Sequence, residues 1–118
     1  MAGQHELRRL RRRAEFLNAA KGRRAARTAF SLQATSVPTA GAGVGLTVTK
    51  KVGNAPERNR IRRRLRAALK ACSGSLLPQH DYVLVGRREA LTQPFAEVVS
   101  DLASAIARVH AAPRPPQT

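Results

Sequence analysis

KKVGNAPERNRIRR, residues 50–63, marks the point at which the chain passes from a strand into its best-defined helix. Asn54 or Ala55 is the expected N-cap, and Pro56 has the fixed φ suited to a first helical turn. Glu57 follows where the helix dipole favours a carboxylate. Apolar residues then recur at i, i+4, i+7, i+8 and i+11, at Ile61, Leu65, Ala68, Leu69 and Cys72. This spacing predicts a helix to about residue 72, with one side packed on a core.

The opposite side of this helix is almost continuously basic. At 100° per residue, five polar residues fall directly opposite the apolar stripe, namely Asn59, Arg60, Arg63, Arg66 and Lys70. Arg62 and Arg64 flank them, and Arg58 lies near the edge of the buried side. A solvated helix usually intersperses carboxylates at i,i+4, and none follows Glu57 here. Arginine suits planar, bidentate phosphate contacts, so the pattern predicts a polyanionic partner.

The charge of the whole chain is concentrated in its first part. Lys and Arg number 22 against 7 Asp and Glu, and residues 1–70 hold 18 of the bases and three of the acids. Residues 71–118 hold four of each and are neutral. A basic surface kept only for solubility is disfavoured, because repulsion at this density destabilises the free fold. The uneven distribution indicates a surface that faces a polyanion.

The polyanion is expected to be nucleic acid and not lipid. No stretch approaches the roughly 20 apolar residues of a membrane span. The basic N-terminus has no apolar segment behind it, so it does not resemble a signal peptide. The single cysteine, Cys72, excludes an internal disulfide and fits a reducing compartment. We therefore expect a cytoplasmic protein with no membrane partner.

The remaining periodicities predict one small domain. A helix is expected at 14–21, with Phe16, Leu17 and Ala20 on one face, and it is preceded by a basic arm at 1–13. Alternation predicts strands at 28–34 and 44–51, which we expect to pair as a hairpin, and a compact strand at 82–86. A last helix spans 94–109, and its inner face holds Phe95, Val98, Val99, Leu102, Ile106 and Val109.

The predicted fold is α+β, in the order α-β-β-α-β-α, with room for a further short strand that the sequence does not place. The one-sided apolar stripes of the two later helices predict that both pack on one face of the sheet. The first helix is expected on the other side of the sheet or at its edge. The domain is expected to span 14–112, followed by a disordered tail at 113–118.

The chain offers no set of residues suited to catalysis or to metal binding. After Glu57 the acids are Asp81, Glu89, Glu97 and Asp101, too few and too dispersed for a metal nuclease. His5, His80 and His110 are scattered along the sequence. Cys72 belongs to the apolar stripe and is expected to be a small buried hydrophobe. No catalytic residue and no metal site are predicted.

Three other functions are compatible with a basic chain of this size. A phosphodiesterase acting alone is disfavoured by the missing acids. A DNA-binding protein with its basic helix in a major groove is disfavoured because no helix precedes it at helix-turn-helix spacing. A ribosomal protein has the same charge signature, and composition leaves it open.

The segment KKVGNAPERNRIRR closely resembles the signature of the bacterial ribonuclease P protein family, with its Arg-Asn-Arg run after a strand that ends in paired lysines. RLRRRAEFLNAAKG (9–22) resembles the family's opening helix, and YVLVGRR (82–88) its strand that ends in basic residues. The likeness covers about residues 7–110 and separates this chain from a ribosomal protein. It implies an α/β sandwich, built on a small mixed sheet with a left-handed β-α-β crossover, a hand that general rules would not predict.

The resemblance also implies a function. The family's ribonucleoprotein is an endoribonuclease that removes the 5′ leader of precursor tRNA, and its RNA subunit hydrolyses the phosphodiester and holds the Mg²⁺ ions. The protein would then bind no cofactor alone and act as a monomer, one copy per RNA subunit. By position, the residues expected to contact the RNA subunit are Arg58, Asn59, Arg60, Arg62, Arg63 and Arg66. Those expected at the leader cleft are Phe16, Lys50, Lys51, Arg87 and Arg88. Ala20 stands where many relatives carry a second aromatic, so leader stacking is expected to be weaker or to rest on other residues.

Overall fold

A computed structural model describes residues 7–111 of the protein. Within this range the elements are β1 (Leu7–Arg9), α1 (Arg13–Ala20), β2 (Arg23–Ala26), β3 (Phe30–Ser36), β4 (Ala42–Thr47), α2 (Ala55–Ala71), β5 (His80–Gly86) and α3 (Phe95–His110). The α+β class and the predicted order of helices and strands are confirmed, with β1 and β2 added. The predicted tail at 113–118 and residues 1–6 of the basic arm lie outside the described residues.

The five strands form one mixed sheet in the order β1-β4-β5-β3-β2. β1, β4 and β5 run parallel, and β3 is antiparallel to both β5 and β2. The predicted hairpin between the strands at 28–34 and 44–51 is wrong, because β5 lies between β3 and β4. Residues 81–84 of β5 are buried in succession, and a strand that is apolar on both faces belongs at the centre of a sheet. The parallel strands β4 and β5 are joined through α2, as a β-α-β crossover requires. The left-handedness of this crossover stays a prediction.

The helices cover both faces of the sheet. Tyr82 and Leu84 belong to the main core beneath α2 and α3, whereas Val83 and Val85 pack with α1. Alternate residues of a strand point to opposite faces, so α1 lies on the face opposite α2 and α3, as predicted. The buried stripe of α2 includes Ile61 and Leu65, each of which stabilises the fold by about 1.5–3 kcal/mol through burial.

Two elements differ from expectation near the N-terminus. β2, with the sequence Arg-Arg-Ala-Ala, has no clear alternation and forms because it pairs in register with β3. α1 buries Ala19 and half-buries Phe16, but Leu17 is 51% exposed and Ala20 is exposed. The predicted face of α1 is therefore right only at Phe16. Within residues 7–111, no helix is both long enough and apolar enough to cross a bilayer.

Candidate nucleic-acid interface

The outward side of α2 is fixed by a capping box at the start of the helix. The side chain of Asn54 accepts a hydrogen bond from the Glu57 N–H at 2.9 Å, and the Glu57 carboxylate accepts one from the Asn54 N–H at 2.9 Å. The hydrogen bonds from Arg88 and from the Asn54 N–H hold the pKa of Glu57 below its usual value. The first turn of α2 is thus anchored, and its basic residues project from a rigid helix.

Basic residues of α2 line two depressions, one on each flank of the helix. Arg62, Arg66 and Lys70 recur at i,i+4 and line a cleft of about 420 Å³ that also contains Phe16, here called the Phe16 cleft. Arg60, Arg63 and Arg64 line a groove of about 440 Å³ that contains Phe95, here called the Phe95 groove. Each flank of the helix therefore combines one aromatic ring with several cations.

The Phe16 cleft straddles an open edge of the sheet. β1 pairs with Ala42–Val44 of β4, and its last contact is the Leu10 N–H donating to the Val44 carbonyl at 2.9 Å. The chain then turns into α1, so within residues 7–111 the rest of β4 has no strand beside it on that edge. Phe16 lies on one side of this edge, and Arg62 and Arg66 lie on the other. Arg9, at the end of β1, adds a cation at the mouth.

A glycine seats the Phe16 ring on the sheet. A Cβ built on Gly45 would lie 2.8 Å from two carbons of that ring, closer than real Cβ atoms approach. Gly45 pairs with Val83, which packs on the same face as α1. The ring can lie against β4 because residue 45 has no side chain.

The wall formed by β1 is held by a partly buried ion pair. Arg8 Nη2 donates to Asp81 Oδ1 at 2.9 Å, and Asp81 is almost fully buried on β5. The same guanidinium donates to the carbonyls of Ala40 and Gly41 at 2.7 and 3.0 Å. One arginine therefore ties β1 to the β3–β4 turn and to the central strand.

The Phe95 groove is shallower and lies between α2 and the first turn of α3. The predicted inward orientation of Phe95 is wrong, since its side chain is 40% exposed. Phe95 is the first residue of α3 and precedes the part of the helix that meets the core, which begins at Val98. Arg64 donates through Nη2 to the Gln93 carbonyl and so links α2 to the turn before α3.

Other predicted leader-cleft residues lie away from Phe16. Lys50 and Lys51 are exposed in a 3₁₀ turn after β4, and neither lines the Phe16 cleft. Arg88 binds Glu57 at 2.9 Å and the Val52 carbonyl at 2.9 Å, so it braces the start of α2. Arg87 is exposed at the end of β5. Their assignment to the leader stays a prediction.

None of the four cations that line the Phe16 cleft was assigned to it from the sequence. Arg62 and Arg66 were expected to contact the RNA subunit, and Arg9 and Lys70 were assigned to neither site. The i,i+4 series of Arg62, Arg66 and Lys70 was available in the sequence and points to one side of a helix. Arg9 had no such signal, because its position depends on the pairing of β1 with β4. The sequence likewise gave no sign that Phe95 is exposed.

The described carboxylates do not fit a magnesium site. Asp81 is paired with Arg8, Glu57 is paired with Arg88, and Glu15 accepts from the Arg11 and Arg12 N–H groups. Glu97 and Asp101, both on α3, face the side-chain amide of Gln93 in the turn before that helix. Among residues 7–111, no three His, Cys, Asp or Glu side chains lie close enough together to hold a metal ion.

Two histidines that are scattered in sequence meet at the far end of α3. The rings of His80 and His110 are 4.7 Å apart, and the Tyr82 hydroxyl lies 2.6 Å from His110 Nε2 and accepts from the Leu77 N–H at 2.9 Å. Burial, followed by the charges of His80 and Arg23, lowers the pKa of His110. Cys72 is buried as predicted, with its Sγ 3.6 Å from the Val99 carbonyl, and burial raises its pKa.

Comparison with known proteins gives one family. The ribonuclease P family model matches residues 5–110. The ribonuclease P protein component of Erythrobacter litoralis is 41% identical over 104 residues, which cover 84% of this chain and 83% of that protein. The corresponding component of Paramagnetospirillum magneticum is 42% identical over 114 residues, 87% of this chain and 83% of its own.

Solved structures agree with the sequence relatives. The RNase P protein of Staphylococcus aureus superimposes with a TM-score of 0.71 at 25% identity, covering 87% of this chain and 97% of its own. The RNase P protein from Thermotoga maritima superimposes with a TM-score of 0.74 at 24% identity, covering 87% and 98%. The second likeness concerns the fold alone.

Proposed function

Because the chain belongs to the ribonuclease P protein family, we propose that it binds the catalytic RNA subunit through α2 and the 5′ leader of precursor tRNA through the Phe16 cleft. In this role it assists the endonucleolytic removal of the leader. The observation that carries the proposal is the Phe16 cleft itself, where one ring and four cations surround an open strand edge.

The shape and charge of the cleft suit a single RNA strand. An unpaired base can stack on Phe16, which contributes about 1–3 kcal/mol for a base on an aromatic ring. Arg9, Arg62 and Arg66 lie within reach of the phosphates that flank such a base. These contacts are independent of base identity, so we expect little dependence on leader sequence.

The RNA subunit is assigned to the rest of the outward face of α2. Arg60 and Arg63 are exposed on this face, and Asn59, next to Arg60, is also exposed. Arg58 is half-buried, and its Nε has no hydrogen-bond partner among the described residues. Structured RNA is recognised mostly by shape and backbone contacts, for which a row of guanidinium groups is suited. Arg62 is shared between this face and the cleft, which would bring the leader close to the RNA subunit.

The chemistry is assigned to the RNA. Apart from the exposed Glu89, the described carboxylates are engaged in ion pairs, a helix cap and amide contacts, so we derive no metal-dependent step through the protein. The Mg²⁺ ions of the holoenzyme are proposed to be held by the RNA subunit, with one protein copy per RNA. The protein then supplies substrate affinity and screens RNA–RNA repulsion. A lone, buried Cys72 suits work in the reducing cytoplasm.

The test is Phe16→Ala in the assembled holoenzyme. Affinity for leader-bearing precursor tRNA should fall by about 1–3 kcal/mol, and affinity for leaderless mature tRNA should stay the same. The matched control is Leu17→Ala, which removes the next side chain on α1, an exposed one. Equal weakening of both substrates by Phe16→Ala would mean that the ring is only part of the fold.

A further inference from the structure

The Phe95 groove has the composition of a second base-binding site. The chain has three Phe, one Tyr and no Trp, so an aromatic ring on its surface is uncommon. Within residues 7–111 the aromatic pairs involve His80, Tyr82 and His110, and the Phe95 ring is stacked on none of them. It is 40% exposed and shares its groove with three arginines.

The charge of the groove favours an anionic occupant. The ion pairs of the described residues are Arg8–Asp81 and Arg88–Glu57, so Arg60, Arg63 and Arg64 have no carboxylate partner there. The nearest acids on α3, Glu97 and Asp101, are oriented toward the amide of Gln93. A second copy of this chain, itself strongly basic, would meet repulsion at this surface, as would a basic peptide.

The groove is also partly preorganised. Arg64 is fixed to the Gln93 carbonyl, which places its guanidinium beside the first turn of α3. Ala67 also lines the groove, and its small side chain takes up little of the space beside the arginines and the ring. An aromatic ring with fixed and free guanidinium groups around it can stack a base and hold the adjacent phosphates.

We propose that the Phe95 groove binds one unpaired nucleotide of the catalytic RNA subunit, with its base stacked on Phe95 and its phosphates held by Arg60 and Arg63. The inference rests on the proposed function, because it assumes that α2 faces this RNA. It adds a specific contact to a helix that otherwise recognises backbone charge. The groove lies on the flank of α2 opposite the Phe16 cleft, so the leader and this nucleotide would occupy separate sites.

The experiment uses the absence of tryptophan from the chain. In the full-length protein, Phe95→Trp places the only indole at the groove, and a base that stacks on it should quench its fluorescence when the catalytic RNA is added. The control is Leu77→Trp. Leu77 is 44% exposed and its N–H is bound to Tyr82, which contacts His110 at the last turn of α3. Helix geometry puts that end about 22 Å from Phe95, so the control emission should not change.

A second variant separates stacking from folding. Phe95→Leu keeps apolar bulk and removes the π-face, so it should leave the denaturant midpoint unchanged and weaken RNA-subunit binding by about five- to a hundredfold. Unchanged affinity of Phe95→Leu, or an unquenched Phe95→Trp on bound RNA, would overturn the inference. So would quenching by precursor tRNA without the RNA subunit, or by raising the protein concentration alone. Failure of the unaltered protein to bind the RNA subunit would instead overturn the proposed function.

Discussion

The depressions on the two flanks of α2 contain the same kinds of residue, but different structural elements hold those residues in place. The Phe16 cleft and the Phe95 groove have similar volumes, about 420 and 440 Å³, and each combines one phenylalanine with arginines of α2. In the cleft, the ring lies on the sheet over Gly45 and a second wall comes from β1. In the groove, the ring stands at the first turn of α3 and the other wall is α2 alone. Rigid walls on two sides suit a strand passing through, whereas an open groove suits one base.

The largest expected effect comes from removing charge on one flank at a time. Arg60→Gln with Arg63→Gln should weaken RNA-subunit binding by about 3 kcal/mol, because two charged hydrogen bonds are lost. The slope of log affinity against log salt should fall by about 1.4–1.8, as expected for two phosphates. The matched pair, Arg62→Gln with Arg66→Gln, should act mainly on leader-bearing precursor tRNA. Filter binding across a salt series measures the affinity for each RNA and its salt dependence. If the two double variants weakened the binding of both RNAs equally, the assignment of one RNA to each flank of α2 would be contradicted.

A smaller effect is expected from a single methyl group in the cleft. Gly45→Ala should push the Phe16 ring off the sheet and lower the free energy of unfolding by about 2 kcal/mol, since the added Cβ would lie 2.8 Å from two carbons of the ring. The preference for leader-bearing substrate should fall with it. Gly74→Ala is the control, because a Cβ there meets no heavy atom within 4 Å. Urea unfolding together with precursor affinity measures both effects, and a stable Gly45→Ala protein with full leader preference would refute the seating of the ring.

The smallest expected effect comes from the ion pair behind the cleft. Asp81→Asn leaves Arg8 without its carboxylate and should reduce stability by about 1–2 kcal/mol, a value lowered because Arg8 is partly exposed to solvent. Hydrogen exchange of the β1 amides should become faster, and leader affinity should weaken as Arg9 loses its fixed position. In a protein that carries both Asp81→Asn and Phe95→Trp, the RNA subunit should still quench the tryptophan fluorescence to the same extent. Glu89→Gln, which removes an exposed carboxylate outside the ion pairs of the described residues, is the control. Unchanged β1 exchange in Asp81→Asn would show that β1 does not depend on this pair.

Several features of the fold were predictable because they are local. The N-cap at Asn54, the length of α2 and its basic outer side follow from residues within a few turns of each other. The burial of Cys72 follows from its place in the apolar stripe of α2. Helical periodicity fixes which side chains share a face, whatever the helix packs against.

Strand neighbours were not predictable in the same way. The hairpin expected between β3 and β4 is local in sequence, but it leaves no place for β5, whose buried run needs cover on both faces. β2 has only a weak alternation of its own, and it forms because it pairs with the free edge of β3. Pairing is decided by burial of the whole sheet, which no short window of sequence contains.

For this protein, the sequence by itself determined a basic helix packed on one apolar side, the α+β order of elements and the resemblance to one family. Only the tertiary structure decided that Arg62 and Arg66 join Phe16 across an open sheet edge, and that Arg9 lies beside them. It also decided that Phe95 stands outside the core beside Arg60 and Arg63. The physical reason is that helical periodicity determines the direction in which each side chain leaves the helix. The residue that it meets in that direction depends on where distant strands and helices pack.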